Sequence, residues 1–189
     1  MWKKIVVAAM AWYLPTFAVA VESTPDSNAE QGSEHDLPHS SETAAQIKGS
    51  LDGELREWFI LSHGNDSNAS FIESGEHITI DITGFVDDEA WETQEALSIS
   101  LTISGEGQLV SAVVLHPLGD STSPPLYTSE GGDVEVTLTH YEWASQRVHV
   151  AGKIQGVLAL QIQLDEPPSQ EETIEIDVAF DVEAQKIEF

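Results

Sequence analysis

Cysteine is absent, which removes thiol catalysis and thiolate metal sites and leaves histidines, carboxylates, hydroxyls and aromatic rings as the first groups to test for chemistry. His140 and His149 flank Tyr141 to Val148, which reads as a hairpin loop. A two-residue turn at Ala144-Ser145 would set Glu142 against Arg147 and His140 against His149, an imidazole pair of the kind transition metals take. The apolar residues oppose that register. It puts Val148 and Val150 on the face opposite Val134, Val136 and Leu138, and a slip of one residue reverses every side chain of a strand. Ala-Ser is also a poor primed-turn pair. The expectation is a longer or bulged loop that separates the two histidines. His63, His77 and His116 are isolated and read as loop or strand-end residues.

The densest acidic group is Asp87-Asp88-Glu89, with Asp81 and Glu92 nearby. Calcium takes about six to eight oxygens, often from such loops, so Asp81, Asp87 and Asp88 are the candidate ligands. The alternative is a solvated acidic loop, and the ordered spacing of a known calcium loop is missing. No other cofactor is expected. Gly119-Asp120-Ser121 has the look of a lipolytic nucleophile motif, but it lies in a proline-rich loop between strands. No Gly-x-Ser-x-Gly, P-loop, His-Glu-x-x-His or dinucleotide fingerprint is present. The chain is read as a non-enzyme. Trp58, Tyr141 and Trp143 are the candidate ligand-binding rings, since exposed amphipathic rings stack on sugar or peptide. Trp58 and Phe59 point to opposite faces, which leaves one of them outside, and Tyr141 and Trp143 are assigned the wetter face with Thr137 and Thr139. The alternative is aromatics that only cover the sheet and its loops.

These residues are positioned by strands. Ile78, Ile80 and Ile82 alternate with polar residues, as do Leu97 to Ile103, Val134 to Leu138 and Ile174 to Val182. Period-two alternation marks half-buried antiparallel strands. Two runs, around Leu109 to Leu115 and Ile154 to Ile162, are apolar on both faces and read as central strands. Leu51-Asp52-Gly53-Glu54 and Ser104-Gly105-Glu106-Gly107 read as hairpin turns, and Asp87 to Gln94 leaves room for one helical turn. The count is about nine strands. Residues 45–189 should form an all-β antiparallel β-sandwich, with a flattened β-barrel as the alternative closure.

Before that domain lies export machinery. Lys3-Lys4, the apolar stretch Ile5 to Phe17 and Ala18-Val19-Ala20 read as a signal peptide over residues 1–20. The stretch is short of the roughly 20 apolar residues a span needs. Residues 21–44 carry acids, no base and no apolar period, and read as a disordered acidic spacer; His35 and His39 fall within it. The expected location is periplasmic or secreted, after cleavage near Ala20-Val21. Cleavage would leave five bases against 33 acids, a net charge of −28. That excludes nucleic acid and anionic membrane as expected partners and leaves a ligand, protein or glycan of unspecified identity.

Gly49-Ser50-Leu51-Asp52-Gly53-Glu54 followed by Trp58-Phe59-Ile60-Leu61, the stretch Val150 to Gly156 and the closing run Ile176 to Val182 resemble small exported bacterial β-sandwich domains of unknown function. The resemblance implies fold and export and carries no activity. Ile154 stands where such domains usually place an aromatic ring, and their lipobox cysteine is missing. The expected role is non-catalytic binding or an envelope-associated function, with a carbohydrate-binding module or a calcium-binding extracellular domain as alternatives.

Overall fold

Alternation of side chains decides where each strand puts its dry face. In the computed structural model, which describes residues 46–63 and 66–187, β7 (Leu97–Ser104) buries Leu97, Ile99, Leu101 and Ile103 and turns its serines and Thr102 to the wet side. Six buried residues of β11 (Thr173–Lys186), from Ile174 to Ala184, alternate with exposed ones. The expected signal peptide and acidic spacer, with His35 and His39, lie outside the described residues.

The other strands are β1 (Ile47–Leu51), β2 (Glu54–Trp58), β3 (Ser62–His63), β4 (Asp66–Ser67), β5 (Ala69–Ser74), β6 (His77–Gly84), β8 (Leu109–Pro117), β9 (Leu126–Ala144) and β10 (Arg147–Gln161). The described residues hold no helix, so the segment Asp87 to Gln94 forms none. The β1–β2 turn has positive φ at both Asp52 (51°) and Gly53 (78°), the type I′ geometry that matches strand twist.

Nine strands form one sheet in the order β10-β9-β8-β7-β6-β5-β11-β1-β2, with β11 also pairing β10. Every pairing is antiparallel except β5 with β11, which are parallel over two residue pairs. β9, β10, β11, β1 and β2 make one layer, and β5 to β8 the other. They join where β8 meets β9 over three pairs, where β5 meets β11, and at the Phe59–Phe85 bridge. The all-β antiparallel fold is as expected, and the linked layers give it the flattened, nearly closed form. β10 is central, between β9 and β11. β8 is not: beyond its three pairs with β9 it has a partner on the β7 side only.

One hydrophobic cluster fills the space between the layers, drawn from β1, β2, β5 to β8, β10 and β11. The layers touch closely at Gly84, where an added Cβ would lie 2.7 Å from Trp58 Cβ and 3.0 Å from Ile47 Cδ1. Full burial of an Ile, Leu or Phe contributes about 1.5–3 kcal/mol. Ion pairs such as Lys48–Glu57, Arg147–Glu183 and His149–Asp181 are largely solvent-exposed, a class that gives about 0–1 kcal/mol each. The core therefore carries the fold.

Candidate functional site

Four neighbouring strands, β1, β11, β10 and β9, present a polar outer face whose cross-strand rows are set by register. One row runs Lys48, Ala179, Lys153, Thr137. The next runs Asp181, Ala151, His140, and the one after it Glu183, His149, Glu142. Ala151 and Ala179 are small, so the face dips at its centre into a trough of about 550 Å³. Gln46, Lys48, Thr139, Lys153 and Asp181 surround it, and the backbone of Gly152 and Phe180 contributes to its floor. Gly152 has to be glycine here: an added Cβ would stand 2.5 Å from the Thr137 carbonyl oxygen and 2.6 Å from Phe180 Cζ.

The bases of the described residues are five. Lys48 pairs with Glu57, Arg56 with Glu54 and Glu95, Arg147 with Glu183, and Lys186 with Glu73. Lys153 alone has no carboxylate partner among the described residues, and it lines the trough. An ammonium beside a small apolar floor, with a hydroxyl and a carboxylate across from it, can hold an anionic group and hydroxyls at once.

The histidines differ from expectation. The turn is a tight one at Ser145-Gln146, with Ala144 opposite Arg147, and it does not separate the histidines. Trp143 and Tyr141 then face Val148 and Val150. The parity conflict with Val134, Val136 and Leu138 is absorbed inside the strand, where a bulge leaves Thr139 unpaired between the His140–Ala151 and Leu138–Gly152 pairs. His140 and His149 end up diagonal on the outer face, ring centroids 4.6 Å apart. The His149 Nε2–H donates to Asp181 Oδ1 at 2.6 Å, and His140 Nε2 lies 3.8 Å from Glu142 Oε2. No group of three or more metal-ligating side chains is poised for an ion among the described residues.

The same bulge corrects the aromatic assignment. Tyr141 lies on the core side with Val134, Val136 and Leu138, away from the wet face of Thr137. Its ring closes on the β7–β8 turn, within 3.2 Å of where a Gly107 Cβ would be. Burial and the Glu73 charge push its phenol pKa above the ordinary value. Trp143 lies on that side too but is 52% exposed at the strand end. Trp58 is 0% exposed, and its indole N–H donates to the Glu95 carbonyl, so it is a core residue with no surface to offer. Phe59 is half-buried against Leu61, Phe85 and Ala96.

The acids do not assemble. Asp81 is on the outer face of β6 and accepts the Ser100 hydroxyl at 2.7 Å. Asp87 accepts the Glu89 N–H at 2.8 Å and so stabilises its own turn, with Asp88 in the same loop beyond the end of β6. Asp120 offers its carbonyl to the Thr93 hydroxyl, a loop contact. His116 does lie at a strand end, one residue from the end of β8, and is buried where the layers join. Its Nδ1–H donates to the Ala96 carbonyl, and its ring stacks on Tyr127. Desolvation lowers its pKa, opposed by that hydrogen bond; Arg56 lowers it further and Glu95 raises it.

Sequence reasoning missed Lys48, Lys153, Ala151 and Ala179. The available signal was scarcity: with so few bases, a lysine at a wet strand position facing alanine is worth pursuing. Comparison with protein-family models, curated proteins and solved structures finds no match to this chain.

Proposed function

We propose that this chain is an exported, acidic, non-catalytic binding protein that recognises its ligand in the trough on the outer face of β1, β11, β10 and β9. Lys153 carries the reading. The other four described bases are neutralised by carboxylates, while this one faces a recess with a small-residue floor. A ligand with a carboxylate or sulfate would pair with Lys153 and Lys48, and its hydroxyls would meet Thr139 and Asp181. An acidic saccharide has that chemistry. The overall negative charge opposes it little, since charges further apart than about 8 Å are screened at physiological salt.

The export half rests on Lys3-Lys4, the apolar stretch after them and Ala18-Val19-Ala20. N-terminal sequencing of protein recovered from outside the cytoplasm should begin at Val21. The binding half is tested on an array of neutral and acidic glycans. Wild type should retain acidic glycans and Lys153→Ala should lose them, with both proteins melting at the same temperature. Retention indifferent to Lys153, or no retention at all, would sink the trough as the recognition surface.

A further inference from the structure

From Asp133 to Ala144, β9 pairs with β10 along one edge and has no ladder partner along the other among the described residues. β8 leaves it after Thr128. Free edges in natural sheets are short, bulged away or interrupted by proline, because a row of unpaired amides recruits another strand. This one is about twice the usual strand length and contains no proline, and its one bulge, at Thr139, leaves it paired with β10 on both sides of the bulge. Its two sides differ. Toward the core lie Val134, Val136, Leu138 and Tyr141, all only half-buried. Toward solvent lie Asp133, Glu135 and Glu142, all exposed.

We propose that the free edge of β9 docks an extended segment of another protein in which apolar residues alternate with lysine or arginine. Added antiparallel or parallel, such a strand satisfies the open amides and carbonyls. Its apolar side chains cover the half-buried strip, and its bases come directly across from the acids. The whole chain's charge of −26 speeds the encounter. A second copy is the wrong guest, since pairing β9 with itself sets carboxylates beside carboxylates. This surface is separate from the trough and does not use Lys153.

The test uses the full chain and two synthetic ten-residue peptides of equal lysine and valine content, one alternating and one with the two residue types in separate blocks. The alternating peptide should bind about tenfold tighter and slow amide hydrogen exchange in 133–144. Glu135→Lys with Glu142→Lys should weaken it by about tenfold or more, and Lys153→Ala should leave it unchanged. Equal binding of the two peptides, binding that protects amides elsewhere, or no binding at low salt overturns the proposal. So does protection of 133–144 that rises with protein concentration without peptide, which would make a second copy the guest.

Discussion

Strands β7 and β9 are built from similar alternations and end up as different objects. β7 has a partner on each side and one unbroken parity. β9 changes parity at Thr139, is irregular again between Thr128 and Asp133, and has one partner for most of its length. A strand held on both edges cannot slip without turning its dry face to water. A strand held on one edge can take up an extra residue and re-aim the side chains after it. Tyr141, Trp143 and His140 all lie beyond that extra residue, and Thr139 itself lines the trough.

The sharpest test of the contrast is cavity formation. Leu101→Ala, at a fully buried β7 position, should cost about 2–5 kcal/mol. Leu138→Ala on half-buried β9 should cost about 1 kcal/mol, both read from urea midpoints. Equal losses would mean that β9 is as firmly packed as β7. Next in size is Gly152→Ala. It pushes a methyl group into the Thr137 carbonyl and Phe180, and overpacking of this kind costs about 1–3 kcal/mol.

Acidification probes the seam where β8 meets β9. His116 is favoured neutral in the fold, so the stability it permits is complete above the unfolded value of 6.5 and declines as pH falls through its lower folded value. Melting temperature should drop on going below pH 6.5, and His116→Gln should flatten that drop. An unchanged slope would show that the seam tolerates the imidazolium. The smallest effect belongs to the hairpin tip. Arg147 and Glu183 are mostly exposed, so Arg147→Gln should change stability by less than about 0.5 kcal/mol.

Much of the architecture was legible, for a physical reason. Alternating isoleucines and valines against serine, threonine and acid leave a strand only one way to hide its apolar side, so β6, β7 and β11 were readable residue by residue. Asp52-Gly53 announced its turn because both positions need positive φ. The site was less legible. The bulge at Thr139 depends on β10 and on the tight Ser145-Gln146 turn together, and neither is visible from β9 alone. Trp58 looked like a surface ring until its indole found the Glu95 carbonyl. The scattered acids are near one another in sequence but not in space, because β6 carries Asp81 away from the Asp87 loop.

Strand β11 has a consequence for how the chain acquires its shape. It bonds to β1, β10 and β5, and all three precede it in sequence. Until residues 173–186 have emerged, β1 and β10 have nothing to hold them together and the two layers stay unfastened on that side. A polypeptide wired this way can pair β5 to β10 in sequence order, yet it leaves β1 and β10 unjoined until the end of the chain is made. It locks only when its late-made piece slides into place.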